Sequence, residues 1–234
     1  MVSDAWAPMP AFLPPPGPDA HVWWIDVPRW TSRVPRLRRV LAADERARAS
    51  RLRFPGDADR FVIGRGVLRL LLGERLGVPP GQVTFAYSAN GKPSVPGLEF
   101  NVAHSADVIL IATHRCPIGI DVECVERVID VAGMGPICFT PRERALATDQ
   151  DGFLRLWTRK EAWLKAVGTG LSFPLRGIDV TEAAAPKLAP EARVEGAVPV
   201  RIVDLPARGY VAACALTEAD ARVHLWNLQE TWHL

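Results

Sequence analysis

The chain has 234 residues, a hydrophobic fraction of 48% and a net charge of +2 from 28 basic and 26 acidic residues. The length suits one large domain or two smaller ones. The balanced charge argues against a nucleic-acid-binding protein, because such proteins usually carry a marked basic excess. No signal peptide is visible, and no apolar run approaches the ~18 residues of a transmembrane helix. We therefore expect no contact with a membrane.

Four cysteines are present, with no spacing typical of a zinc site: Cys116, Cys124, Cys138 and Cys214. Free thiols of this kind are typical of a reducing compartment. We therefore predict a cytoplasmic protein without disulfides.

The first half of the chain begins with a proline-rich arm at 1–20, which cannot be helical. Strand and helix patterns then follow: strands at 21–27, 82–87, 98–102 and 107–113, and helices at 35–52 and 59–76. The sequence Arg115-Cys116-Pro117 predicts a turn that would join strand 107–113 to strand 118–122 as a hairpin.

The second half repeats this order of elements without repeating the sequence. Its predicted helices lie at 141–147 and 152–167, and its last strands at 200–205, 210–216 and 223–228. Residues 182–197 are rich in Ala, Pro and Glu, which indicates a surface loop. We therefore predict an α+β fold with two similar lobes, at 21–116 and 117–234, behind the arm at 1–20.

Asp121 lies in the predicted strand Ile118–Val122, and a second acidic residue, Glu123, follows directly after its end. Because side chains of a strand alternate between its faces, Asp121 and Glu123 share one face with Gly119. Their carboxylates can converge on one cation, and Mg²⁺ prefers oxygen ligands. Taken alone, such a pair is more often an ordinary exposed strand face.

The predicted helix 152–167 carries Glu161 and Lys165 together on the flank of its apolar face. A Glu–Lys pair at this spacing is common on helix surfaces and contributes only a few tenths of a kcal/mol. Lys160, however, projects into the middle of the apolar face. A buried lysine needs a partner or a wet cavity, so we expect a polar cleft at this level of the helix.

Four motifs occur in order: Asn-Gly-Lys-Pro at 90–93, Phe-Asn-Val-Ala-His-Ser at 100–105, Gly-Ile-Asp-Val-Glu at 119–123 and Trp-Thr-Arg-Lys-Glu-Ala-Trp-Leu-Lys-Ala-Val-Gly-Thr-Gly-Leu at 157–171. With these motifs the chain resembles the 4′-phosphopantetheinyl transferases of the surfactin-synthetase-activating (Sfp) type. The resemblance implies a monomer with a pseudo-twofold axis between its lobes. Such enzymes use Mg²⁺ to move the phosphopantetheine arm of coenzyme A onto a serine of an acyl or peptidyl carrier protein.

The resemblance also assigns roles to the acidic cluster. By motif match, Asp121, Glu123 and Glu161 would hold Mg²⁺ against the pyrophosphate of coenzyme A. Lys165 would contact the α-phosphate and stabilise the leaving group. Our candidate for the general base toward the carrier serine is Glu161, acting directly or through a water. Asp121, Glu161 and Lys165 are thus the predicted catalytic residues.

The remaining basic residues are weak candidates singly, because solvent-facing charges are common. By motif match, Arg65, Lys92 and His104 would hold the nucleotide and its 3′-phosphate. With Lys165 at the α-phosphate they are the residues predicted to bind coenzyme A. Ala103 stands where many members of the family have a serine. Other basic contacts of the family do not align convincingly, and they would be replaced here by one of three arginines: Arg33, Arg36 or Arg53.

The carrier protein would dock on the second lobe, at residues 133–147. Met134, Ile137, Phe139 and Arg144 lie in this stretch. For the apolar residues among them, core packing is an equally good interpretation.

Two alternatives remain open at this stage. A metal-dependent phosphohydrolase or nuclease would use the same carboxylates with water as the nucleophile. A non-catalytic module that binds coenzyme A or a carrier protein would need the basic residues, but not the whole acidic cluster.

Overall fold

The computed structural model describes residues 4–9, 13, 17–88, 91–170, 173–189 and 199–232. Within these residues the helices are α1 (Val27–Trp30), α2 (Val34–Val40), α3 (Ala43–Arg51), α4 (Pro55–Leu76), α5 (Val131–Cys138), α6 (Pro141–Arg144) and α7 (Gln150–Val167). The strands are β1 (Ala7–Pro8), β2 (Ala20–Asp26), β3 (Ala86–Tyr87), β4 (Pro93–Ser94), β5 (Glu99–Ser105), β6 (Val108–His114), β7 (Ile118–Cys124), β8 (Ile178–Asp179), β9 (Lys187–Leu188), β10 (Arg201–Leu205), β11 (Tyr210–Leu216) and β12 (Val223–Asn227).

The first lobe is built on a sheet with the strand order β1-β12-β2-β6-β5. Strands β2, β6 and β5 are antiparallel neighbours, whereas β12 runs parallel to β2. The long helix α4 belongs to the core of this lobe. It begins with Pro55, whose ring favours the first helical turn, and ends at Gly77, which has the positive φ of a helix C-cap.

The second lobe is built on a smaller antiparallel sheet with the order β10-β11-β7. Helix α7 packs its apolar face on this sheet, and a cluster that includes Phe153, Trp163 and Ile202 forms the core. Two long helices on two sheets confirm the predicted α+β fold with two lobes. The last strand of the chain, β12, nevertheless lies in the sheet of the first lobe, although the sequence-based division places it with 117–234.

The predicted hairpin between 107–113 and 118–122 is wrong. Strand β6 already pairs with β2 on one edge and β5 on the other, so β7 cannot join it and pairs with β11 instead. Side chains of β5 connect the two sheets here. The Asn101 Oδ1 accepts a hydrogen bond of 3.0 Å from the N–H of Ile120, and the Ser105 hydroxyl oxygen accepts one of 3.0 Å from the N–H of Cys124.

A third apolar cluster fills the space between the lobes. Ile118, Ile120 and Val122 of β7 meet Trp24 and Leu110 of the first sheet in this cluster. A sheet face that is buried against a partner sheet favours such β-branched residues.

The described part of the proline-rich arm reaches the same cluster. Trp6 packs edge-on against Trp24 of the first sheet, with ring centroids 5.3 Å apart, and donates a 2.6 Å hydrogen bond to the carbonyl of Pro206 in the second lobe. Prolines 10, 14, 15 and 16 of the arm lie outside the described residues. No helix in the described part of the chain is both long enough and apolar enough to cross a bilayer.

Candidate active site

Strand β7 presents its two faces to different parts of the molecule, as its alternating sequence predicts. Ile118, Ile120 and Val122 face the cluster between the lobes, and Gly119 faces helix α7. A methyl group at Gly119 would overlap the carbonyl oxygen of Ala162 on α7. The missing side chain therefore lets α7 lie directly on the strand, and this brings the acidic residues of β7 close to those of the helix.

Asp121 is the most buried member of the acidic cluster, with 7% of its surface exposed. Its Oδ1 accepts a 2.7 Å hydrogen bond from the Lys165 Nζ, which also donates to the carbonyl of Ile120 at 3.1 Å. The Asp121 Oδ2 is buried and has no hydrogen-bond partner among the described residues. Burial raises the pKa of Asp121 to about 7 although Lys165 opposes the shift. This carboxylate therefore lacks one cationic or hydrogen-bonding partner.

Glu123, two residues further along the same face, has a partner on each oxygen. Its Oε2 accepts a 3.0 Å hydrogen bond from the Ser105 hydroxyl of β5, and its Oε1 lies 2.7 Å from the Arg127 guanidinium. The Arg127 side chain is 58% exposed. An exposed arginine contributes little in such a pair, so it can leave Glu123 at small cost.

Glu161 of α7 completes the group of carboxylates. Partial burial raises the pKa of Glu161, Lys165 lowers it, and the nearby charge of Glu123 raises it further. The three carboxylates thus influence one another electrostatically, but in this structure their oxygen atoms do not all lie within 4.8 Å of one another.

A cavity of about 540 Å³ opens in the first lobe. Its lining combines basic residues with an apolar floor: Arg48, Arg60, Arg65, Lys92 and His104, together with Leu52, Phe61, Leu68, Phe100, Val102 and Ile109. Such a wall suits a ligand that has both an anionic and an aromatic part. The three nucleotide-binding residues predicted in this lobe all line this cavity.

Lys92 connects the cavity to the acidic cluster. Its Nζ donates a 2.8 Å hydrogen bond to the carbonyl oxygen of Lys165, near the end of α7. His104 lies on the cavity wall, where burial and the charges of Arg60 and Lys165 lower its pKa. This hydrogen bond joins the cavity wall to α7, although Asp121, Glu123, Glu161 and Lys165 do not themselves line the cavity.

Comparisons with known proteins agree with this geometry. Two family models match adjacent parts of the chain: "4′-phosphopantetheinyl transferase, N-terminal" at residues 29–116, and "4′-phosphopantetheinyl transferase superfamily" at residues 117–215. The chain is also 40% identical to the 4′-phosphopantetheinyl transferase HetI of Nostoc sp. strain PCC 7120, over 74% of this chain and 78% of the relative. The chain belongs to the 4′-phosphopantetheinyl transferase superfamily.

More distant relatives carry the same name. A 4′-phosphopantetheinyl transferase of Bacillus subtilis is 33% identical, and the transferase Sfp of Bacillus subtilis strain 168 is 27% identical, each over 67% of this chain and 73% of the relative. The protein is therefore an enzyme that transfers the phosphopantetheine arm of coenzyme A to carrier proteins.

Two of the basic residues that line the transferase cavity were not identified from the sequence. Arg48 and Arg60 line the cavity, whereas the proposed substitutes Arg33, Arg36 and Arg53 do not. A signal for Arg60 exists in the sequence, because it lies four residues before Gly64 and therefore on the same face of the helix. Arg48 could not be found in this way, since α3 and α4 meet only in the folded transferase.

The polar cleft expected around Lys160 does not exist, and this prediction is wrong. The side chains of Lys160 and Glu143 are fully buried, and the Lys160 Nζ lies 2.8 Å from the Glu143 Oε2. The ammonium group also donates to the carbonyls of Leu175 and Ile178. The lysine is thus satisfied by a partner on α6, which the pattern of α7 alone could not reveal.

Among the described residues, His114, Cys116 and Glu218 form the one group of three potential metal ligands within 4.8 Å of each other. Both ring nitrogens of His114 are already occupied. The Nε2 lies 2.9 Å from the carbonyl of Pro18, and the Nδ1 lies 3.2 Å from the backbone N–H of Cys116. Because both ring nitrogens already have hydrogen-bond partners, neither is free to bind a metal, and this corner of the transferase is structural.

Proposed function

We propose that the transferase is of the Sfp type, serves acyl or peptidyl carrier proteins, and carries out its chemistry where the cavity meets the acidic cluster. The observation that carries this proposal is the buried, unpartnered Oδ2 of Asp121 at the junction of β7 and α7. A phosphohydrolase or a simple binding module would not need a nucleotide-sized cavity joined to this cluster through Lys92.

Mg²⁺ fits the residues that are present. Asp121, Glu123 and Glu161 supply oxygen atoms only, the donor chemistry that this cation prefers. When bound, the cation would neutralise negative charge on the pyrophosphate. The exposed Arg127 would release the Oε1 of Glu123, and the raised pKa of Asp121 would fall beside the new positive charge.

The nucleotide part of coenzyme A would occupy the cavity of the first lobe. Arg65, Lys92 and His104, joined by Arg48 and Arg60, would bind its phosphates. The apolar floor would contact the adenine. A bound phosphate would raise the lowered pKa of His104 and so favour its charged form.

In the reaction, the hydroxyl oxygen of the carrier serine forms a bond to the β-phosphorus of coenzyme A. The bond from this phosphorus to the bridging oxygen breaks, and adenosine 3′,5′-bisphosphate leaves. Glu161 would accept the serine proton, directly or through a water. Lys165 would stabilise the negative charge on the leaving phosphate.

The carrier protein would dock on α5 and its flanking turns. Met134 and Ile137 are 38% and 66% exposed, while the nearby Val128 and Leu146 are 93% and 54% exposed. Phe139 is fully buried and does not belong to this surface, so of the two interpretations of this residue core packing is the right one. Exposed apolar side chains grouped near an active site are typical of a protein-binding surface. We call Val128, Met134, Ile137 and Leu146 the docking surface.

Arg144 is exposed beside the docking surface, which suits the acidic surroundings of a carrier serine. Both lobes of the site come from one chain, and this supports a transferase that acts as a monomer. All four cysteines are free thiols, which supports a cytoplasmic protein. The division into an arm at 1–20 and lobes at 21–116 and 117–234 is part of the proposal, with β12 returning to the first lobe.

The test is the intact mass of an apo carrier protein incubated with the transferase, coenzyme A and Mg²⁺. We expect a gain of one phosphopantetheine, and no gain after addition of EDTA. Asp121→Ala should abolish this gain while the circular dichroism spectrum stays unchanged. Asp220→Ala, which removes an exposed carboxylate elsewhere, serves as the control. Full activity of Asp121→Ala would rule out the assigned metal site, and hydrolysis of coenzyme A without transfer would favour the phosphohydrolase.

A further inference from the structure

Each lobe contains a buried ion pair of the same construction. In the first lobe, the Nε of Arg69 on α4 lies 2.7 Å from the Oε2 of Glu45 on α3. In the second lobe, the Nζ of Lys160 on α7 lies 2.8 Å from the Oε2 of Glu143 on α6. All four residues are at most 4% exposed. In both lobes the base comes from the long helix and the acid from a short helix that precedes it.

The two acids occupy equivalent positions. Glu45 is the third residue of α3, and its Oε2 accepts a 2.8 Å hydrogen bond from the N–H of Ala42, just before the helix. Glu143 is the third residue of α6, and its Oε2 accepts a 2.8 Å hydrogen bond from the N–H of Thr140. Each glutamate therefore closes the start of its own short helix and, at the same time, attaches that helix to the long one.

The two bases also use their remaining donors alike. Arg69 donates to the carbonyls of Pro80 and Val83, on the segment that follows α4. Lys160 donates to two carbonyls on the segment that follows α7, those of Leu175 and Ile178. Each base thus joins three chain segments, which we call a clamp: the Glu45–Arg69 clamp and the Glu143–Lys160 clamp.

The clamps hold different surfaces. Helix α3, held by Glu45, brings Arg48 and the adjoining Leu52 to the wall of the nucleotide cavity. Helix α6, held by Glu143, directly follows α5, which presents Met134 and Ile137 on the docking surface. The sequence between each surface and its clamp is short, so the clamp determines where the surface lies relative to the long helix.

We propose that the Glu45–Arg69 clamp positions the surface that binds coenzyme A, and that the Glu143–Lys160 clamp positions the surface that binds the carrier protein. These four are positioning residues, because no atom of theirs is exposed enough to meet a substrate directly. The second half of the proposal rests on the proposed docking surface, whereas the first half depends only on the nucleotide cavity.

The experiment removes each clamp as a pair, with Arg69→Met and Glu45→Gln in one variant and Lys160→Met and Glu143→Gln in the other. Pairwise replacement removes both charges of each clamp, and the glutamine retains an acceptor for the N–H of the cap. Because the Nε of Arg65 lies 3.5 Å from the Glu45 Oε1 and loses this partner in the first variant, Arg65→Met alone is measured beside it as the reference for a direct effect on the cavity. The control is Arg29→Met with Glu230→Gln, an ion pair whose arginine is 51% exposed. The Kd for coenzyme A is measured by calorimetry, and the KM for the apo carrier by transfer assays.

We expect loss of the first clamp to raise the Kd for coenzyme A about tenfold and to change the KM for the carrier by less than about twofold. Loss of the second clamp should raise the KM for the carrier about tenfold and change the Kd for coenzyme A by less than about twofold. The control should change neither constant by more than about twofold. Equal effects of both variants on both substrates, or no effect of either, would overturn the proposal.

Two further measurements keep the proposal testable if a double variant fails to fold. The milder Arg69→Lys and Glu143→Asp substitutions, which keep both charges of each pair, should give the same division of effects at smaller size. Hydrogen exchange in residues 131–147 should become faster in Glu143→Asp but not in Arg69→Lys, and unchanged exchange in both variants would overturn the positioning role. If wild-type transferase binds coenzyme A but modifies no carrier, the proposed function fails, while the calorimetry and exchange experiments still decide on the clamps.

Discussion

The two lobes follow one plan but place their long helices differently against their sheets. Helix α4 leaves a cavity of about 540 Å³ at its side, lined by residues of α3, α4, β5 and β6. Helix α7 lies so close to β7 that no side chain fits at Gly119. The open arrangement suits the binding of a large ligand, whereas the close arrangement concentrates charged groups. A pair of similar lobes can thus divide binding and chemistry between them.

The clamps differ in a corresponding way. Arg69 donates two hydrogen bonds from its planar guanidinium to the carboxylate of Glu45. Because an arginine has five N–H donors, it can still donate to two carbonyls. Lysine has three donors, and Lys160 uses all of them. Burial lowers the pKa of Lys160, and the carboxylate of Glu143 opposes this shift. Lys160 therefore has no unused donor, and the second clamp should lose more stability than the first when one partner is removed.

The largest loss of stability is expected when a side chain is added between α7 and β7. Gly119→Ala places a methyl group against backbone atoms of Ala162 and Ala166, which cannot move separately from the helix. We expect a loss of about 3 kcal/mol in the free energy of unfolding. The measurement is denaturant unfolding followed by tryptophan fluorescence.

Gly64→Ala is the matched control in the other lobe. Its new methyl group would lie 3.3 Å from the Cδ1 of Ile109, the flexible end of a side chain. Alanine also favours a helix interior more than glycine does, so stability should stay within about 1 kcal/mol of wild type. Equal losses of stability in the two variants would contradict the conclusion that α7 lies closer to its sheet than α4 does.

This difference bears on what the sequence could predict. Alternation in Ile118–Val122 predicted the faces of β7 correctly, because side-chain direction in a strand is a local property. The contact of Gly119 with α7 could not be predicted from spacing, since it depends on how closely two distant segments pack. Family motifs led to the acidic residues, but the walls of the cavity come from elements that meet only after folding. Arg48 and Arg60 were missed for that reason.

The environment of Lys160 is a second case in which the sequence pattern predicts a position but not its partner. The pattern of α7 correctly predicted that Lys160 lies on the buried face. It could not supply the partner, because Glu143 belongs to a four-residue helix with no periodicity to detect. The general rule that a buried lysine needs a partner was right, and the choice of a wet cleft over an ion pair was wrong.

The second prediction concerns Lys92, which joins the lobes. Lys92→Met keeps most of the aliphatic stem but removes the charge and the hydrogen bond to the carbonyl of Lys165. We expect the Kd for coenzyme A to rise about tenfold, a change of about 1.4 kcal/mol in binding free energy. Calorimetry measures this constant. Lys187→Met, which alters a side chain that is 62% exposed, should leave it unchanged.

The third prediction concerns the start of the central strand β2 of the first sheet, where His21 accepts a 3.0 Å hydrogen bond from the Trp226 indole N–H. Burial, followed by the charges of Arg75 and His224, lowers the pKa of His21 to about 4. A histidine in the unfolded chain takes up its proton near pH 6.5. Its contribution to stability is therefore fully present above about pH 6.5 and is lost as the pH falls toward 4.

His21→Gln removes the titrating group and retains an acceptor for the indole. We expect the variant to lose about 1 kcal/mol less stability than wild type between about pH 6.5 and 4, which allows for partial solvation of the ring. The check is the free energy of unfolding measured at several pH values. Parallel pH profiles of the two proteins would contradict the assignment.

The smallest effect is expected at the surface of the second lobe, one residue before a clamp. Arg142 lies 2.9 Å from Glu182, and the two side chains are 52% and 50% exposed. Arg142→Ala should change the free energy of unfolding by about 0.5 kcal/mol or less, because water and salt screen such a pair. The neighbouring Glu143→Gln acts on a pair that no water reaches, and it should cost several times more. Measuring both in the same denaturant series separates the effect of burial from that of charge, since each variant removes one charge from the same helix.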